Sequence, residues 1–259
     1  MTGGGGAAEL GATRNIPIFV QLQPPTRGAS GYAQQNIPMN PTTTETKRGQ
    51  SGWFAPGGLI LLSLFPVVGG GVRLIELMGG AEITPQNERF FESPVPIILH
   101  IVSVTVYSLL GAFQFVPSLR GGAWHRIAGR VLVPTGLLAA FSGLWLANVY
   151  FLAIDGFLLL AVRLIIGLSM VVSIALGLFY VLRMRDFLRH SAWMTRAYAI
   201  GAAAGTEAIL IIGPEVSSNP PDSTAQIVFT ASAWVINLGV AEYVIHRRVR
   251  RDSHPGLSA

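Results

Sequence analysis

Apolar residues along the chain are gathered into six long segments that short polar linkers separate. Lys, Arg, Asp and Glu are absent from the stretches 49–72, 93–119, 131–154, 164–182 and 223–241, and the stretch 197–213 contains only Glu207. A helix that crosses the bilayer core needs about 20 predominantly apolar residues. The pattern predicts an all-α polytopic membrane bundle of six transmembrane helices, called here spans one to six. Their predicted bounds are 53–77, 94–118, 127–151, 156–183, 193–213 and 223–246.

Polar sequence flanks the predicted six-helix domain, which covers residues 53–246. Residues 1–52 are rich in Gly, Pro, Thr and Gln and have few apolar side chains, so they predict a disordered arm. Residues 247–259 form a basic tail. Lys and Arg are concentrated in the arm, in alternate linkers and in the tail, whereas the other linkers are mainly acidic. Because cytoplasmic loops carry an excess of Lys and Arg, we expect both termini to be cytoplasmic.

Composition narrows the functional classes further. Only 12% of the residues are charged, against about 25% in an ordinary soluble domain. The net charge of +5 is explained by the positive loops and by attraction to anionic lipids, so we expect no nucleic-acid partner. The 259 residues contain no cysteine, which excludes disulfides, thiol catalysis and Cys-ligated clusters. The expected location is a bacterial inner membrane, with membrane proteins as further candidate partners.

Two short motifs combine histidine and arginine at predicted helix starts. Residues 125–130 read His-Arg-Ile-Ala-Gly-Arg, and residues 190–196 read His-Ser-Ala-Trp-Met-Thr-Arg. Together with His100 and the stretch from Gln114 to Arg120, these motifs resemble a bacterial family of predicted membrane proteins, domain of unknown function 2306. The resemblance covers about residues 53–246. It implies a polytopic membrane protein and its topology, and it implies no activity.

The first candidate site lies at the predicted cytoplasmic side, where His125 and His190 begin spans three and five. Residues at helical spacing after each histidine are mostly Gly and Ala, which allow close helix approach or leave room for a macrocycle. A haem b bound by both histidines is one hypothesis, and a quinone-linked redox role is its variant. The propionates of the haem would meet Arg126, Arg130 and Arg196. In the alternative, the histidines lie in the interface and the arginines bind lipid phosphates.

The second candidate site lies in the predicted outer half of the bundle. His100, Arg163 and Glu207 each lie about two helical turns from that end, and charged residues inside a membrane are functional candidates. Tyr107 and Gln114 continue the helix face of His100. The functional hypothesis is a polar ligand site or a proton path, with Arg163 and Glu207 neutralising one another. The alternative is a structural ion pair between spans four and five.

The sequence therefore leaves three functional classes open. They are a haem-linked or quinone-linked redox protein, a small-molecule transporter or receptor, and a non-catalytic membrane protein that acts through partners. No nucleotide-binding loop, metalloprotease signature or hydrolase motif is present, so no catalytic residue and no protein-ligated metal ion are predicted.

Overall fold

The computed structural model describes residues 52–84, 87–149, 156–216 and 222–253. These residues form helices and turns without a β-strand, and six of the helices are long and apolar enough to cross a membrane. The prediction of an all-α, six-span fold is confirmed. The spans are the helices Phe54–Gly79, Pro94–Ala112, Ala123–Val149, Gly156–Phe179, Phe187–Val216 and Ser223–Ser253. The arm before residue 52 and the tail after 253 lie outside the described residues.

Several helix ends differ from the predicted bounds. Span five begins at Phe187, not at 193, because the Asp186 carboxylate accepts a hydrogen bond from the Arg189 amide at 2.9 Å and caps the helix. Span two leaves α geometry after Ala112 and continues as the 3₁₀ turn Phe113–Phe115. Span four continues into the π-helical turn Tyr180–Met184, and span six runs to Ser253.

Successive spans run in opposite directions. His100, near the start of span two, contacts Ala139 in the second half of span three, and Arg196 near the start of span five contacts Glu242 near the end of span six. Span two packs between spans one and three, whereas span five packs against spans one, four and six. Spans three and five are not principal neighbours. Large apolar side chains such as Phe54 and Phe157 are exposed on the outer surface, as expected for a bundle in lipid.

Glycines create two close approaches inside the bundle. A Cβ at Gly205 in span five would collide with the backbone carbonyl of Leu62 in span one. Gly136 in span three and Gly201 in span five both face the Tyr107 ring, and a Cβ on either would lie 2.6 Å and 3.1 Å from its atoms. Small residues let membrane helices approach closely, as the sequence predicted. Gly205 packs against span one, whereas Gly136 and Gly201 pack against a tyrosine of span two.

The two ends of the bundle differ in charge. At one end spans two, four and six terminate and spans three and five begin; we call it the basic end. Arginines are concentrated there: Arg120, Arg126, Arg183, Arg185, Arg189, Arg196 and Arg248. At the opposite end, which we call the acidic end, acidic residues are concentrated: Glu76, Glu82, Glu88, Glu92 and Asp222.

Candidate functional site

A cavity of about 470 Å³ lies inside the bundle and reaches the acidic end. All six spans and the short helix Glu88–Glu92 contribute to its wall, which is predominantly apolar. The larger apolar residues lining it include Phe90, Leu146, Ile166, Met170 and Trp234. Small-molecule sites usually have volumes of about 300–1,000 Å³, apolar walls and a few polar groups. The size and wall chemistry of this cavity are therefore those of a small-molecule site.

Three of the predicted site residues, His100, Tyr107 and Arg163, line this cavity. The Nδ1 atom of His100 lies 3.1 Å from the Ala139 carbonyl oxygen and 3.1 Å from the Ser142 hydroxyl. A carbonyl oxygen only accepts, so the Ala139 bond requires a proton on Nδ1. In the neutral ring Nε2 is then a hydrogen-bond acceptor, and no described residue donates to it. His100 can thus accept a hydrogen bond from a bound molecule.

Tyr107 is buried at the inner part of the cavity, with its ring between Gly136 and Gly201. The neighbouring Tyr198 ring lies 5.9 Å away between centroids, and its hydroxyl donates to the Ser108 carbonyl oxygen at 2.8 Å. No residue of the described chain forms a hydrogen bond with the Tyr107 hydroxyl. Of these two tyrosines, only Tyr107 has a hydroxyl that is available to form a hydrogen bond with a molecule in the cavity.

Glu207 lies outside the cavity wall. Its carboxylate accepts a hydrogen bond from the Thr230 hydroxyl at 2.5 Å, which links spans five and six. Arg163 lies within electrostatic range of this carboxylate and lines the cavity. The mutual neutralisation of Arg163 and Glu207 stays a prediction. What the sequence did not predict is the bond between Glu207 and Thr230.

Gln114 also does not lie on the helix face of His100, where the sequence predicted it. It lies in the 3₁₀ turn at the basic end, away from the cavity, and its backbone carbonyl faces the Arg120 guanidinium at 3.4 Å. A 3₁₀ turn has 3.0 residues per turn, so residues there depart from the α-helical face of His100. Thr105 and Ser108 take part in the cavity wall instead. Ser108 has a helical spacing from His100 that could have indicated it, whereas Thr105 lies away from the face of His100 and had no such signal.

The histidines of the first candidate site lie at the starts of spans three and five, as predicted, and neither lines the cavity. The His190 Nδ1 atom donates to the Gly177 carbonyl oxygen at 2.8 Å. Arg196 forms a two-bond ion pair with Glu242, at 2.5 Å and 3.0 Å, and its guanidinium covers the Trp193 ring. Arg126 donates to the Gly121 carbonyl oxygen, and Arg130 is exposed.

The residues around these histidines do not fit a haem. The Tyr107 ring fills the space between Gly136 and Gly201 on spans three and five, and Leu132 and Ala197 are buried in the packed core. Arg196, which would meet a propionate, is held by Glu242. The described residues contain no group of three or more His, Asp or Glu suited to a metal ion. The haem hypothesis gains no support from this geometry.

Comparison with known proteins gives one match. A family model described as "Predicted membrane protein (DUF2306)" matches residues 97–245, which is more than half of the chain. The match begins in span two and ends in span six, so it includes most of the cavity wall. Neither a curated protein nor a solved structure matches the chain.

Proposed function

The chain belongs to the DUF2306 family of predicted membrane proteins, and from this premise we propose that it binds a small amphipathic molecule within its six-span bundle. It acts in this proposal as a transporter or receptor for that molecule. The single observation that carries the proposal is the 470 Å³ cavity lined by His100, Tyr107 and Arg163. A redox role based on His125 and His190 has no comparable observation in its favour.

The cavity wall indicates the chemistry of the ligand. An apolar body would be buried against the aliphatic and aromatic wall. A negatively charged group, such as a carboxylate, would be attracted by Arg163, which lines the cavity and is a charged side chain inside a membrane span. A hydroxyl or amine of the ligand would donate to Nε2 of His100, and the Tyr107 hydroxyl would supply one more hydrogen bond. We therefore infer an organic anion with an apolar body.

We further propose that the basic end faces the cytoplasm of a bacterium and that the chain lies in the inner membrane. The arginine excess at that end supports this orientation. The cavity then reaches the outer side of the membrane, where Arg89, Phe90 and Gln226 line it. A ligand would enter from outside the cell.

Topology reporters test the orientation. A reporter fused after Arg185 or after Arg250 should give a cytoplasmic signal, because both positions lie at the basic end. A reporter inserted after Glu82 should give a periplasmic signal. Paired fusions of alkaline phosphatase and a fluorescent protein measure both sides. A periplasmic signal after Arg185 would reverse the orientation and place the cavity entrance on the cytoplasmic side.

Filling the cavity tests ligand binding. Ala204 in span five lines the cavity, so Ala204→Leu should occupy ligand volume and lower the amount of co-purified small molecule. Mass spectrometry of extracts from the purified protein measures that amount. Ala208→Leu adds the same side chain one turn further along span five, outside the cavity wall, and should retain the ligand. Equal ligand content in wild-type protein and in Ala204→Leu would contradict the proposal.

A further inference from the structure

Basic side chains from four parts of the chain converge at the basic end. Arg120 lies in the linker after span two, His125 and Arg126 begin span three, His190 lies near the start of span five, and Arg248 lies near the end of span six. We call these five residues the cationic cluster. Arg120 is within electrostatic range of Arg248, and His125 is within range of His190, Arg120 and Arg126. The fold thus places basic groups close together, among them the like charges of Arg120 and Arg248.

Carboxylates of the described chain do not neutralise this cluster. At the basic end Asp186 is paired with Arg189 at 3.4 Å, and Glu242 is paired with Arg196. The arginines of the cluster donate instead to neutral oxygens. Arg120 bonds the Phe115 carbonyl at 3.0 Å, Arg126 the Gly121 carbonyl at 3.1 Å, and Arg248 the Ser191 hydroxyl at 3.2 Å. These bonds orient the guanidinium groups, and no carboxylate among the described side chains compensates their charge.

Two buried polar atoms beside the cluster have no hydrogen-bond partner among the described residues. They are Nε2 of Gln114 and Nδ1 of His125. Arg120 links the two residues, because it bonds the backbone carbonyl of Gln114 and acts electrostatically on His125. Buried polar atoms in folded proteins nearly always have a partner. An anion with several acceptor oxygens would accept from both atoms and would also neutralise the arginines.

The environment of Arg120 disfavours its positive charge. Partial desolvation and the nearby charge of Arg248 lower the pKa of Arg120, although part of its side chain is exposed. A bound anion would offset this cost, because it attracts both guanidinium groups at once. Arginine forks bind phosphate oxygens with charge-assisted hydrogen bonds, which are stronger than bonds between neutral groups.

We propose that the cationic cluster is a binding site for a phosphate group. The phosphate belongs either to the headgroup of an anionic membrane lipid or to a soluble phosphate, since both present the same oxygens at the membrane surface. The site lies at the opposite end of the bundle from the mouth of the cavity. It is therefore independent of the proposed cavity ligand and stands even if that ligand does not exist.

Two binding measurements on the full chain test the proposal and separate the two sources. In the first, delipidated protein in a neutral detergent is titrated with inorganic phosphate, and the thermal unfolding temperature is followed. In the second, the protein is transferred from nanodiscs of phosphatidylglycerol or phosphatidylcholine into native mass spectrometry, and retained lipid is counted. A response to inorganic phosphate indicates a soluble ligand, whereas retention of phosphatidylglycerol alone indicates a lipid headgroup. Either result supports the site.

The decisive variant is R120Q/R248Q, compared with the control R183Q/R250Q. Arg183 and Arg250 are exposed at the same end, so the control removes the same charge without touching the cluster. We expect R120Q/R248Q to weaken binding by at least about tenfold, since each arginine supplies charged hydrogen bonds, while the control binds like wild type. Equal weakening in both variants, or no binding of either probe by wild type, would overturn the proposal.

A stability measurement excludes a merely structural role for the cluster. Without phosphate or anionic lipid, R248Q should unfold at the same temperature as wild type or at a higher one, because the variant relieves repulsion between like charges. A structural role of Arg248 through its bond to Ser191 predicts a lower unfolding temperature. That lower temperature, combined with unchanged phosphate binding, would also refute the site.

Discussion

Replacing Gly205 by alanine should destabilise the folded bundle by about 1–3 kcal/mol, the usual range for overpacking. The added Cβ would collide with the backbone carbonyl of Leu62 in span one. A backbone atom cannot rotate away as the end of a side chain can, so spans one and five would have to separate. Such a separation would weaken the packing of span one against span five. Unfolding in increasing concentrations of denaturing detergent measures the loss.

A matched control distinguishes this collision from a general effect of alanine. Gly129 in span three and Gly239 in span six have no atom within 4 Å of the position that a Cβ would take. Alanine is the better helix former, so Gly129→Ala and Gly239→Ala should leave stability unchanged or raise it slightly. If Gly205→Ala behaves like these two variants, spans one and five are not in the close contact described above.

The six spans could be predicted from the sequence because the signal is local and strong. A long uncharged segment of bilayer length rarely forms anything but a helix, since every backbone N–H and C=O group must form its hydrogen bond inside the segment. The ends of the spans were less predictable. Phe187 to His190 include two charged or titratable side chains and were assigned to the linker, but the Asp186 cap starts the helix before them. Capping contacts act over three residues and do not show in a hydropathy average.

The level of a residue along its helix is easier to predict than the direction of its side chain. Counting helical turns predicted one level for His100 and Arg163, and both line the same cavity. The same count did not show that Glu207 turns toward Thr230 on span six. Periodicity along one helix defines a face, whereas the neighbour of that face depends on how all six spans rotate and pack. That packing is absent from any single segment of sequence.

The small-residue stripes illustrate the same limit. The sequence predicted that Gly and Ala on spans three and five would lie against each other or against a flat cofactor. Instead, the small residues of both spans pack against a ring from span two, because the Tyr107 ring lies between Gly136 and Gly201. Small residues therefore indicated a close contact correctly, but they did not identify the side chain that fills the space.

Tyr107→Ala is expected to destabilise the protein by about 3–5 kcal/mol, as for other large buried rings. The Tyr107 side chain is only 4% exposed, and its ring is held by glycines of two spans and by Tyr198. Removing the ring leaves a void that adjoins the ligand cavity, and helical spans cannot collapse to fill it. Detergent unfolding of the purified variant measures this loss.

Tyr107→Phe should separate packing from ligand binding, because it keeps the ring and removes a hydroxyl that no described residue bonds. We expect its stability to equal that of wild type and its retention of the cavity ligand to fall. Tyr198→Phe is the matched control: its hydroxyl donates to the Ser108 carbonyl oxygen, so the variant should lose about 1 kcal/mol of stability and retain the ligand. If Tyr107→Phe loses stability as Tyr198→Phe does while its ligand content stays unchanged, the Tyr107 hydroxyl is part of the scaffold. The polar contacts of the ligand would then come from His100 and Arg163 alone among the three predicted residues that line the cavity.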